Sequence, residues 1–224
     1  MASFHTPATP RVAAVPERLA RYWACLAFLP IAWSANAGAQ APSWRTVSDK
    51  DGIRLEARRL PSERFDELRV TTALKASPQT IADYLLGKYL DEKNKNITRS
   101  FVQRGPDQAI WSDVLSTPVT SDRCYSMRFE RQALAGGEVR VKFVSLDYVG
   151  RRPKPDCIAL RSRGEWTMTP TSAGTRLTYL SLTDIGGQTP AFLAHRSLSS
   201  AAVSSVRKVV AGSAGLALPR GIGD

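Results

Sequence analysis

The stretch LTYLSLTDIGGQTPAFLAHRS, residues 177–197, begins as an alternating strand, stops at Asp184, carries glycines at 186 and 187, and restarts behind Pro190 as an apolar run. Gly186-Gly187 permits positive φ where the chain leaves a sheet. Pro190 fixes φ for a first helical turn, and Asp184 stands where a carboxylate caps or braces such a turn. A strand passing straight into a long helix is a common way of closing a curved sheet. The helix is expected from Pro190 to about Val210, with Ala194, Leu198, Ala201, Ala202, Val206 and Val209 on one face. Arg196, Ser200, Ser204, Arg207 and Lys208 fall largely elsewhere on it. Gly212 is expected to end it, leaving 212–224 as a flexible tail.

Upstream of that junction, alternation dominates. Residues 44–52 end in an Asp-Gly turn. Residues 53–58 and 65–74 alternate strictly and predict two antiparallel strands about Pro61-Ser62. Ser77-Pro78 is a helix start, N-cap followed by proline, for a helix reaching Leu86 and fading into the polar residues 91–96. Further strands are expected over 97–103, 108–115, 123–132, 138–148, 157–169 and 175–184, separated by Gly, Pro, Asp and Ser clusters. The order is β-β, helix, several antiparallel strands, long helix. That is α+β, with a curved antiparallel sheet wrapped around a C-terminal helix.

Strand parity describes the inside. Arg161, Arg163 and Glu165 share one face while Ile158, Leu160, Gly164, Trp166 and Met168 share the other. Arg128 and Glu130 oppose Tyr125, Met127 and Phe129, and Arg140 and Lys142 oppose Val141 and Phe143. One face is solvated and the other apolar and aromatic. A helix built of Ala, Val and Ser over such a face leaves two outcomes. Either the aromatics pack solid, as ordinary core, or a hollow remains, lined by Trp111, Tyr125, Phe129, Phe143 and Trp166 and fit for a large apolar ligand.

The termini and charge bound the setting. Residues 1–21 carry Arg11, Arg18 and Arg21 against Glu17, an apolar run over 22–33 follows, and small residues over 35–41 offer A-x-A sites. This is the pattern of a secretory signal peptide over 1–37, cut between about 37 and 41; a buried N-terminal helix is the alternative. The 224-residue chain has a net charge of +11, and removal of 1–37 leaves it near +9. For an exported chain that balance favours an anionic membrane surface over nucleic acid. Cleavage leaves Cys124 and Cys157, a pair that forms a disulfide in an oxidising compartment or sits as two buried thiols.

From Pro118 to Val210 the chain resembles the START (StAR-related lipid-transfer) family. Four pieces carry the resemblance, in order: Pro118-Val119-Thr120-Ser121-Asp122-Arg123, like the family's P-x-x-x-x-R lead into a strand; Leu160-Arg161 with Gly164-Glu165-Trp166; Gly174-Thr175-Arg176-Leu177-Thr178-Tyr179; and Asp184-Ile185-Gly186-Gly187-Gln188-Thr189-Pro190-Ala191-Phe192-Leu193, like D-P-G-G-x-(I/L)-P-x-x-(I/L). Ile185 replaces that proline, which frees the hinge at its φ. Cys124 replaces an acid, and His195 stands where an asparagine is usual.

The resemblance implies a helix-grip domain over 42–211 whose cavity, covered by the last helix, binds one lipid or sterol-like molecule for carriage or transfer. Met127, Val141, Leu160, Tyr179, Phe192 and Leu198 join the aromatic set as expected lining, with Phe192 near the mouth. With the signal it implies a periplasmic or secreted, monomeric protein that touches anionic membranes transiently through residues such as Arg151, Arg152, Lys154, Arg207 and Lys208. No cofactor, metal or nucleic-acid partner is expected. Past residue 37 the chain has one histidine, His195, and no G-x-S-x-G elbow, so no catalytic residue is assigned. A cyclase- or hydratase-like enzyme of related fold, or an interaction module with a filled core, are the alternative functions.

Overall fold

In the computed structural model, residues 42–117, 121–150 and 156–214 are described. The expected signal peptide, residues 118–120, Arg151, Arg152, Lys154 and the tail beyond 214 lie outside them. The chain begins with a hairpin. Asp51 and Gly52, at φ +55° and +71°, make the two-residue turn joining β1 (Arg45–Lys50) to β2 (Ile53–Arg58). Residues 44–52, read only as far as their turn, thus add an edge strand. β3 (Glu67–Leu74) follows, then α1 (Pro78–Leu86), with Ser77 Oγ accepting from the Thr80 N–H. After Gly87 comes a one-turn α2 (Lys88–Asp91) and an exposed stretch over 91–96.

The remaining strands are β4 (Ile97–Arg104), β5 (Gln108–Leu115), β6 (Arg123–Ala133), β7 (Val139–Leu146), the two-residue β8 (Ile158–Ala159), β9 (Arg161–Thr171) and β10 (Gly174–Asp184). They form one sheet in the order β1-β2-β3-β10-β9-β7-β6-β5-β4, antiparallel throughout, with β8 pairing the start of β6 in parallel. The last strand therefore lies inside the sheet, between β3 and β9, and hands directly to α3 (Ala191–Ala214). α3 packs on α1, β3, β10 and β2 through Ala194, Ala202, Val206, Val209 and Ser213. Among the described residues no helix is long and apolar enough to cross a membrane.

α3 does not stop at Gly212. It runs on to Ala214, and Ser213 Oγ donates to the Val209 carbonyl one turn back. Gly212 serves packing instead: a Cβ there would lie 2.1 Å from Cζ of the Tyr84 ring. A second glycine does the same within the sheet. A Cβ on Gly164 would fall 1.9 Å from the Leu180 carbonyl oxygen and 2.6 Å from Phe143 Cζ, so the Phe143 ring uses the space that a side chain would fill. We expect Gly164→Ala to destabilise the fold by about 1–3 kcal/mol or more, as overpacking against a backbone atom does. Urea unfolding followed by tryptophan fluorescence measures it, and an unchanged midpoint would contradict the packing described.

Candidate ligand cavity under the last helix

The junction between β10 and α3 is held on several sides. Asp184 Oδ1 accepts from the Gly186 N–H at 2.8 Å, and Gly186 and Gly187 both take φ +65°. Buried Arg123, at the start of β6, donates from Nε to the Ile185 carbonyl at 2.8 Å, from Nη1 to the Ser121 carbonyl, and from Nη2 to Thr189 Oγ1 at 3.3 Å. Exposed Arg64 donates to the carbonyls of Gly187 at 2.7 Å and Thr189 at 3.2 Å. Beneath lies β8, whose Ile158 opposes Arg123 and borders both glycines. Cys124 and Cys157 are joined, Cα to Cα 5.9 Å, on the outer face of the sheet with Val114 and Tyr148, tying β6 to the residue before β8. The hinge that Ile185 frees at its φ is thus clamped through its carbonyl.

Between this end of the sheet and the first half of α3 lies a cavity of ≈ 250 Å³. The sheet lines it with Leu115 from β5, Tyr125 and Met127 from β6, Ser162 from β9, and Tyr179, Ser181 and Thr183 from β10. Asp66 and Leu68 border it from the β3 side, Leu160 and Ile185 from the strand ends, and Ser197, Leu198, Ala201, Ala202 and Ser205 from the helix. Half of these groups are polar. Ser162 and Thr183 hydroxyls meet at 2.7 Å, and burial pushes the Tyr179 hydroxyl well above its ordinary titration range. Apolar side chains and hydroxyls line the same space, an arrangement for an amphipathic guest. A larger groove of ≈ 720 Å³ follows α2 and β4, but it is lined by the exposed and mostly charged residues 91–95 and is open surface.

Two charged clusters flank the cavity. Asp66, 5% exposed, is met by Arg45 Nη2 at 2.5 Å, Arg59 Nε at 2.9 Å and His195 Nδ1 at 3.7 Å. His195 Nε2 lies 3.3 Å from Arg59, and its ring stands edge-on to Phe65. Both ring nitrogens are engaged in this cluster, and His195 serves to fix the start of α3. On the other side, Asp113 is fully buried and takes a two-point contact from Arg99, Nε to Oδ1 at 2.8 Å and Nη2 to Oδ2 at 2.6 Å. Trp111 Nε1 donates to the same carboxylate at 3.0 Å, and Arg99 also donates to the Leu90 carbonyl. Burial, then the Asp113 charge and hydrogen bond, raise the Tyr125 hydroxyl far above its usual range. Tyr125 thus links this network to the cavity wall. Burial would lower the Arg99 guanidinium, but the hydrogen bond and charge of Asp113 outweigh it and raise it.

The expected lining residues separate into three groups. Tyr125, Met127, Leu160, Tyr179 and Leu198 lie on the cavity. Trp111, Phe129, Val141, Phe143 and Trp166 are buried in the main core instead, the four rings forming one chain of contacts through Tyr179 with Val141 packed in the same cluster. Trp111–Phe129, Phe129–Phe143, Phe143–Tyr179 and Tyr179–Trp166 centroids are 4.8, 5.6, 5.7 and 4.1 Å apart. Tyr89 and Tyr84 continue the chain into the helices. Phe192 is neither: it points outward from the first turn of α3, 72% exposed. Arg207 and Lys208, expected as membrane contacts, are paired with Asp51 at 3.2 Å and Glu92 at 3.1 Å. The Arg99–Asp113 pair and Asp66 escaped the sequence reading. The readable signal was parity: Asp113 shares a strand face with Trp111, and Arg99 stands directly opposite it.

No sequence family and no curated protein matches the chain. Solved structures do. A STAR-related lipid transfer protein from Xanthomonas axonopodis superposes with a TM-score of 0.66 at 19% identity, over 76% of this chain and 98% of that one. Human STARD10 gives 0.63 at 14% identity, over 76% and 73%. The human StarD13 lipid transfer and protein localization domain gives 0.63 at 15%, over 76% and 88%. The chain has the START-like helix-grip fold.

Two variants test the site's supports. Arg123→Lys keeps the charge but loses the fork, and we expect amide exchange over 185–189 to accelerate at least about tenfold while the central strands stay protected. Equal exchange would remove Arg123 as the clamp. Asp113→Ala leaves the half-buried Arg99 guanidinium without its carboxylate, and we expect a loss of about 2–4 kcal/mol in chemical unfolding, partly recovered by Arg99→Leu in the same chain.

Proposed function

We propose that this protein carries one amphipathic lipid or sterol-like molecule in the cavity under α3, and that it does so as an exported monomer that exchanges its cargo at anionic membranes. The observation that carries the reading is the mixed apolar and hydroxyl-lined cavity beneath the first half of a helix joined to the sheet by a two-glycine turn. Its ≈ 250 Å³ falls just below the roughly 300–1,000 Å³ usual for ligand pockets. A lipid-sized guest therefore enters as the front of α3 moves off the sheet, and the turn at 186–187 is the place to bend. Support also comes from the fold, shared with structures described as lipid-transfer proteins. The setting rests on the N-terminal pattern of basic, apolar and small residues. Transfer would be physical, with each methylene moved out of water contributing about 0.8 kcal/mol.

Native mass spectrometry of protein recovered from its exported compartment should show a one-to-one adduct with the mass of a lipid. Ala201→Trp, which places an indole against the cavity from the exposed side of α3, should cut uptake of fluorescent fatty-acid and sterol analogues at least about tenfold while the melting temperature holds. An empty wild-type protein that takes up neither analogue would sink the reading. Turnover of an offered polyketide, with release of product, would favour an enzyme.

A further inference from the structure

Among the described residues Phe192 is the most exposed large apolar side chain, at 72%, and Leu193 beside it is 50% exposed. They sit together on the first turn of α3, immediately after the clamped turn, next to the segment whose Ser197 and Leu198 line the cavity. Exposed arginines frame the same corner. Arg59 reaches His195, Arg64 reaches the carbonyls of 187 and 189, Arg45 shares Asp66 with Arg59, and Arg196 follows on the helix. The acids present are Asp66, which is buried beneath Arg45 and Arg59, Asp184, 4.0 Å from Arg64, and Glu63, which holds Arg163. The corner keeps a surplus of positive charge. The other end of α3 differs, since Arg207 and Lys208 are each matched by a carboxylate.

We infer that this corner is the surface that docks on an anionic bilayer, with Phe192 and Leu193 entering the headgroup boundary and Arg45, Arg59, Arg64 and Arg196 holding lipid phosphates. The inference rests on the carrier reading and adds where the membrane is met. The combination of protruding apolar side chains and cations is what the interface between headgroups and acyl chains accommodates. Two apolar side chains anchor weakly, so the contact is short-lived. The geometry also gives it use. Docking here brings the turn at 184–190 and the adjoining end of the cavity against lipid, so cargo leaves without crossing water.

Cosedimentation with vesicles of phosphatidylcholine, with and without phosphatidylglycerol, tests this. Wild-type protein should bind the anionic vesicles. Phe192→Ser with Leu193→Ser should lose binding about tenfold or more, and Arg196→Gln about fivefold on anionic vesicles only. Val102→Ser, on the exposed edge strand β4, should bind as wild type. A nitrobenzoxadiazole label at Phe192→Cys should shift to the blue on anionic vesicles, as a probe entering the boundary does. Binding that is unchanged by the double substitution, or no vesicle binding by the wild type, overturns the inference. So does a dimer seen by light scattering and abolished by the same substitution, which would make the corner a self-association face. Native mass spectrometry in solution keeps the two readings apart. A loaded protein that ignores vesicles fails the docking surface alone, and an empty protein that binds them through Phe192 fails the carrier alone.

Discussion

Arg123 decides where the last helix lies. Its guanidinium donates to the Ile185 carbonyl and Thr189 Oγ1 across the gap between β6 and the turn after β10, and to the Ser121 carbonyl just ahead of its own strand. Two glycines at φ +65° allow the turn, and the floor of β8 beneath them leaves no room for a side chain at Gly186. Were that turn placed otherwise, α3 would not lie along β3, β10 and α1, and there would be no cover under which to hold anything. The disulfide between Cys124 and Cys157 belongs to the same device, since it fixes the residue that precedes β8.

With the helix so placed, the inner face of the sheet divides in two. Away from the turn, rings from five strands and the two short helices close on one another, and the Ala- and Val-rich end of α3 lies over them. Near the turn, the strands present serines, threonines and tyrosines, the helix presents Ser197, Ser205 and small alanines, and the space does not fill. Small helical residues opposite hydroxyls, rather than opposite rings, are what leaves a hollow. Tyr179 is the boundary, stacked on Phe143 and Trp166 on one side and facing the cavity on the other.

The buried charges explain why part of the site was hidden from a linear reading. Arg99 and Asp113 are ordinary surface residues by type. They become a pair with a buried carboxylate and a half-buried guanidinium only because β4 and β5 place them directly opposite on the inward face, where Trp111 and Tyr125 enclose the carboxylate. Asp66 draws Arg45, Arg59 and His195 from three separate segments, the start of β1, the loop before β3 and the start of α3. Neither arrangement has a local motif, since each depends on register and on where the helix begins.

Much was nevertheless written locally. Period-2 alternation identified most of the antiparallel strands and their faces, though it passed over β1 and ran β8 and β9 together as one strand over 157–169; Ser77-Pro78 started α1, and Asp184-Ile185-Gly186-Gly187 specified a strand that ends by turning into a helix. These follow from backbone stereochemistry and side-chain alternation, which act over a few residues. Only the tertiary structure decided that Gly212 is a seat for the Tyr84 ring, not a stop, and that Phe129, Phe143 and Trp166 fill the core while Tyr125, Met127 and Leu160 border a cavity. It alone put Phe192 outside. Parity tells which face a side chain takes, but whether that face meets a ring, an alanine or water depends on what the fold lays across it.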